Sequence, residues 1–351
     1  MLPKLIMNKK FFLVPLFIGI ASFSSAQDLS NPGDYMTAIS NAQKEMNQKY
    51  MAYMSATAHV RRARKIDKLR QQALESIDQS RENTAGLPFY KGDNSLRQSS
   101  MDYIKFCYNI FNEDYSKILN LEDIAEQSYD EMQAYLLLQE KTTEKIHEAN
   151  EKMDVAEKTF AAKYNVNLVD AKSELGEKIE TANKLNHYRN QVFLIYFKCN
   201  WQENEIVKAM NAGKITEAEQ GRSSLVRYVN EGFTGLDSLK SFDGDPALAS
   251  TCKVELQTYK HIAEDDMPKQ LDYFLKKESF EKIRKSFESK SESDRTKQDV
   301  NAYNAAVKDM NNATDTFNGV IKNINSETKD AEDKWNDTEK TFTEQHMPYY
   351  K

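Results

Sequence analysis

The chain has 351 residues, with 48 Lys+Arg against 54 Asp+Glu, 40% hydrophobic residues, and only 11 Gly and 7 Pro. This composition belongs to a globular chain and excludes a disordered or collagen-like one. So few Gly and Pro also argue against an all-β sandwich or barrel, which needs a turn every ~8–12 residues; the net charge of −6 argues against bulk nucleic-acid binding, which needs a basic surface.

The N-terminus reads as a secretory signal peptide over 1–26. Lys9-Lys10 form a basic segment, Phe11 to Ala21 an apolar core, and Ser24-Ser25-Ala26 a small-residue cleavage site before Gln27. The apolar core is short for a bilayer span. The leader carries Lys4, Lys9 and Lys10 and no acid, so its removal leaves 45 Lys+Arg against 54 Asp+Glu and a net charge of −9. No later apolar run exceeds the six residues from Val192 to Phe197, so no transmembrane span is expected in the mature chain. The expected location is periplasmic or extracellular.

Beyond the leader the pattern is helical. A stripe with gaps of three and four, from Ile39 through Ala42, Met46, Tyr50, Tyr53, Val60, Ala73 and Ile77, predicts one helix from about Tyr35 to Glu82. Residues 83–94, with Gly86, Pro88 and Gly92, read as a loop. A second helix is expected over about 95–119, and a third over about 121–164, capped by Asn120. A fourth runs from about Leu168 to Ala212 and is stopped by Gly213. Thr216 and Glu219 suggest a capping box for a shorter helix ending near Gly232. Helices resume at Pro246, and Pro268 suits a first helical turn. The last, about 294–346, has an unbroken stripe from Val300 through Phe317, Ile321, Ile324 and Trp335 to Phe342. A sustained seven-residue repeat predicts a seam against a partner helix, here within the same bundle.

A shift of 152 residues aligns Leu87, Gly92, Asp93 and Leu96 with Leu239, Gly244, Asp245 and Leu248. It also aligns Ile110, Asp114, Lys117 and Leu119 with Ile262, Asp266, Lys269 and Leu271. The matches are compatible with duplication and equally with a helix-start device used twice, with Asp as cap and Gly as turn. The fold expected is all-α: an elongated bundle of long amphipathic helices with coiled-coil-like packing and room for two related halves. The units are 27–165 and 166–351, the second carrying the long C-terminal heptad helix.

Candidate chemistry is sparse. Glu144-x-x-His147, with Glu151 one turn on, has half the ligand pattern of a di-iron bundle, which needs a second such pair; a solvated face accounts for it. His261, Glu264, Asp265 and Asp266 could hold a divalent cation weakly, or could complement the N-terminus of the next helix. Arg61-Arg62-x-Arg64-Lys65 is the densest basic run and reads as a solvated stripe, with contact to anionic lipid or lipopolysaccharide as the alternative. Cys107, Cys199 and Cys252 match no zinc spacing and suit buried free thiols, with one disulfide as the alternative. No nucleophile elbow, His-Glu-x-x-His or Gly-rich phosphate loop occurs. No catalytic, cofactor-binding or metal residue is therefore assigned, and no cofactor is expected.

Two resemblances bear on identity. The segment from Met7 to Gln27 resembles the leaders of exported Bacteroidota proteins, which often end in Ala-Gln. Met101-Asp102-Tyr103-Ile104-Lys105-Phe106-Cys107-Tyr108-Asn109, and Tyr303-Asn304 with Val307, Asp309 and Asn311, resemble helices of the uncharacterised YiiG-like envelope lipoproteins. This chain lacks their lipidated cysteine, so shared anchoring is not implied. The resemblance implies an exported, all-helical envelope protein. The expected function is a non-enzymatic structural or binding protein of the cell envelope, with a protein or envelope component as partner. The alternative is a periplasmic small-ligand or metal carrier built on a helical bundle.

Overall fold

A computed structural model describes residues 29–59, 62–114, 125, 127–168 and 173–350. The leader, Val60 and Arg61, and the expected end of the second helix and Asn120-capped start of the third lie outside the described residues. Among the described residues there are nine α-helices and no strand. They are α1 Pro32–His59, α2 Ala63–Ala85, α3 Ser95–Asn109, α4 Tyr129–Tyr164, α5 Glu174–Asn211, α6 Ile215–Ser238, α7 Ala247–His261, α8 Met267–Glu288 and α9 Lys297–His346. The bundle is all-α, as its periodicity requires. None of the described helices is long and apolar enough to cross a membrane.

The first expected helix is in fact two. Arg62 is extended (φ −101°, ψ 104°) between α1 and α2, and the chain folds back so that Met46 of α1 meets Ile77 of α2 in one core cluster. Both arms of a hairpin can carry one apolar stripe in phase, so periodicity passes straight through the turn. No Gly or Pro marks it. Instead the break coincides with a basic stretch, Arg62, Arg64 and Lys65, whose charges oppose the positive end of the α2 dipole. Of the basic run, Arg62 precedes α2 and Arg64 and Lys65 lie in its first turn, all three exposed, as a solvated stripe requires.

Gly213, at φ +72°, does end α5. The expected capping box after it does not form: α6 begins at Ile215 with no side-chain cap, and Glu219 pairs with Arg222. Nor does α6 stop at Gly232. A Cβ there would lie 2.8 Å from Leu256 Cδ1 and 2.9 Å from Ile195 Cγ2, so this glycine admits α5 and α7 to close packing rather than terminating a helix. Pro268 sits in the first turn of α8, where its missing N–H costs nothing.

The long α9, 50 residues and about 75 Å at helical rise, opens with a capping box. Thr296 accepts from Asp299 N, and Asp299 accepts from Thr296 N. It packs along α8 and then α7. Its deepest residues include Ala306, Ala313, Val320, Ile324, Ala331, Trp335 and Phe342. In its first half small residues turn inward and the larger stripe members flank them: Tyr303 stacks on Phe287 and Phe317 on Tyr273. Val300 is exposed and Ile321 only half-buried.

The largest core cluster joins α5, α6, α7 and α9 around Leu185, Val192, Leu225, Val229, Cys252 and Leu256. Met51 and Met54 of α1 belong to it and tie the first half to the second. The C-terminal segment adds two clasps: Met347 O lies 3.0 Å from His59 Nε2, and Tyr350 N donates to Ser55 Oγ.

The halves follow one plan. A hairpin (α1–α2, α5–α6) leads through a tight loop to a 15-residue helix (α3, α7). A π-helical turn follows at Ile110–Asp114 and again, 152 residues on, at Ile262–Asp266. The loops match residue for residue. Lys91 and Gly92 have φ +48° and +84°; Asp243 and Gly244 have +49° and +82°. Tyr90 bridges to Asp93 as Phe242 does to Asp245.

Candidate functional site

In each half the loop aspartate caps the following helix. Asp93 Oδ1 accepts from Ser95 N at 2.8 Å, and Asp245 Oδ1 accepts from Ala247 N at 2.8 Å. Each aspartate also clasps the end of a long helix. Lys163 Nζ and Tyr164 Oη donate to Asp93 Oδ2 at 2.8 and 2.9 Å, and His346 Nε2 lies 2.8 Å from Asp245 Oδ2. The Lys163 bond, then the Ser95 N–H, holds the Asp93 carboxyl well below the usual range. His346, then the Ala247 N–H, lowers Asp245 in the same way. Around each aspartate stands the same aromatic set. Tyr35 packs on Tyr90 and Phe160 with centroids 5.3 and 5.7 Å apart. Tyr188 packs on Phe242 and Phe342 at 5.8 Å each.

The residues singled out by sequence fare differently. His147 is 74% exposed and meets only Glu151, at 3.4 Å, and Glu144 is exposed; this is a solvated face. The His261 group lies on the second π turn. His261 Nδ1 is 2.9 Å from Asp265 Oδ2, and Asp266 is buried with Lys269 Nζ donating to it at 2.9 Å. A π turn brings residue i+5 round, so Asp266 rather than Glu264 approaches the ring, at 3.7 Å. Glu327 of α9, which local spacing could not supply, completes a trio whose donor atoms lie within 4.8 Å. Asp265 and Asp266 thus pair with His261, and Asp266 also with Lys269, beyond the helix-start role expected of them.

All three cysteines are free and buried. Burial pushes the thiol of Cys107 up to about 11 and that of Cys199 up to about 12, and raises Cys252 further.

Two interior features were not legible from motifs. Between α1–α4, Met46, Asn47, Tyr50, Tyr103, Cys107 and Phe111 line part of a mostly apolar cavity of about 30 Å³, room for about one water. In the second half, Glu203 of α5 and Glu255 of α7 are buried, at 7% and 1% exposure, with Glu332 of α9 beside them. Asn200 Nδ2 donates to Tyr259 Oη at 2.9 Å and lies 3.5 Å from Glu332 Oε1. Oε1 of Glu255 has no hydrogen-bond partner. Burial, then the charge of Glu332, pushes both Glu203 and Glu255 up to about 7. The signal in the sequence was faint: Glu255 sits among Cys252, Leu256 and Tyr259, and Glu332 between Ala331 and Trp335, beside apolar stripe positions.

Comparison with known proteins gives no match to a protein-family model, to a curated protein or to a solved structure.

Proposed function

We propose that this chain is an exported, non-enzymatic structural or binding protein of a bacterial cell envelope. The observation that carries the non-enzymatic part of the reading is the use to which the reactive groups are put. Asp93 and Asp245 fasten the ends of α4 and α9 to the loops that start α3 and α7, and a carboxylate held ionised in this way is a clasp rather than a proton shuttle. The thiols are buried and hard to ionise, the opposite of a nucleophile's environment. The leader of Lys9-Lys10, Phe11–Ala21 and Ser24–Ala26 supports export. The mature charge of −9 favours a protein or other envelope component over nucleic acid as partner.

The carrier reading stands second, favoured by the His261, Asp266 and Glu327 donor set. Against it, Lys269 already occupies Asp266. Cross-linking in intact cells, followed by fractionation and mass spectrometry of the adducts, tests the leading reading. Recurrent adducts to one envelope component, reproduced from the partner's side, are expected. Recovery in the cytosol overturns it, and one ion per chain after chelator dialysis, lost in His261→Ala, moves the assignment to the carrier.

A further inference from the structure

The repeated plan allows the two interiors to be compared position by position. The matched packing of Tyr35 with Tyr188 sets α1 onto α5 at an offset of 153. The π turns and loop aspartates set α3 onto α7 at 152. Phe160 with Phe342, and Tyr164 with His346, set α4 onto α9 at 182. In these registers Asn47 falls on Asn200, while Tyr50, Tyr103 and Asn150 fall on Glu203, Glu255 and Glu332. Three uncharged side chains of the first half are replaced by three carboxyls in the second.

The core around Glu203 and Glu255 is largely apolar. Val192, Cys199, Cys252 and Leu256 are fully buried and Trp335 nearly so. Glu255 Oε1 is buried without a hydrogen-bond partner among the described residues, so a charge placed on it would be poorly compensated. The groups acting on the site from each helix are few. From α5 come Glu203 and the Tyr196 phenol, from α7 Glu255, Cys252 and the Tyr259 phenol, and from α9 Glu332 and Lys334. Among the described residues, Lys334 is the cation that acts on Glu255. Lys198 of α5 is paired with Glu231 of α6. A bound metal would need donors gathered at one point. Among the described residues only His261, Asp266 and Glu327 bring three such atoms within 4.8 Å.

We propose that Glu203 and Glu255, buried on α5 and α7 with half-buried Glu332 of α9 beside them, form a proton-binding site that couples the packing of these three helices to pH, in the second half alone. Burial penalises the charged form of Glu203 and Glu255, and the charge of Glu332 adds to that penalty, so the folded bundle retains protons that the unfolded chain has released. A glutamate that loses its proton near 4.5 when unfolded and near 7 when folded binds more protons in the folded state between those values. Stability therefore falls as pH rises through that window, and the whole loss is present above about 7. The protonated site holds the three helices together; the ionised site pushes α9 from α5 and α7. This inference is independent of the envelope assignment.

Urea unfolding of the wild type and of a Glu203→Gln/Glu255→Gln double variant, from about pH 5.5 to about pH 8, tests it. The folded-to-unfolded ratio of the wild type is expected to fall about tenfold to a hundredfold more than that of the variant, which becomes the more stable protein at the upper pH. Parallel profiles overturn the proposal. Infrared spectra of the wild type are a readout that survives a variant's failure to fold. The carbonyl band of a protonated, buried carboxyl should persist to about pH 6 and disappear near 7–8; its complete absence at about pH 6 overturns the proposal. Calcium or manganese added at about pH 8 should leave the midpoint unchanged. A stoichiometric stabilisation lost in Glu255→Gln would give the site to a metal instead.

Discussion

Asp93 joins three elements: the loop after α2, the first turn of α3 and the last turn of α4. Asp93→Asn keeps the shape and removes the charge. The expected cost is about 1–2 kcal/mol, below the usual range for charged hydrogen bonds because Lys163 is more than half exposed and screened. Because the folded carboxyl is lowered, its contribution is present above the unfolded carboxylate range and is lost as pH falls; the variant's urea midpoint should therefore converge on the wild type in acid. The same scale governs the cysteines. Cys107, Cys199 and Cys252 are at most 6% exposed, and burial raises their thiols. An aromatic disulfide reagent should leave all three unmodified in the native protein and modify all three in denaturant; rapid native labelling of any one would mean that its helix opens. The positions of these residues in the sequence named the aspartates and the thiols. They did not name the buried glutamates Glu203 and Glu255, because a Glu beside an apolar stripe is usually solvated, and their burial depends on tertiary packing that local spacing does not show.

At the scale of elements, α9 offers the sharpest comparison. Ile324 is 8% exposed and belongs to the main core, whereas Asn318 is exposed. Ile324→Asp loses side-chain burial worth roughly 1.5–3 kcal/mol and adds the cost of a charge in an apolar contact, so the total should exceed about 3 kcal/mol. Asn318→Asp should stay within about ±0.5 kcal/mol. Equal urea midpoints would mean that α9 is not part of the cooperative core. The stripe of α9 was legible because 3.6-residue periodicity is a local property that burial enforces. The choice between Ile321 and Val320 as the deeper residue was not, since it depends on the angle at which α8 approaches. Likewise the hairpin turn at Arg62 and the two π turns leave the apolar period nearly intact while redirecting the chain. The helix through Gly232 shows the converse: a residue that ends helices elsewhere is held inside one by the methyl groups of Ile195 and Leu256.

For the molecule as a whole, two halves of one plan are fused by α1 against α5 and by the C-terminal clasps on His59 and Ser55. The loop devices at Asp93 and Asp245 were visible as a 152-residue shift because tight turns constrain identity. The hairpins and long helices of the two halves share few identities, such as Tyr35 with Tyr188 and Phe160 with Phe342, at offsets of 153 and 182 that a single 152-residue shift does not find. The central claim, that this bundle is an exported envelope protein, rests on the leader and is tested most directly by intact mass of the chain purified from its native host, fraction by fraction. The account predicts a single species beginning at Gln27 in the periplasmic, surface or extracellular fraction. A species retaining residues 1–26 in the cytosol would contradict it.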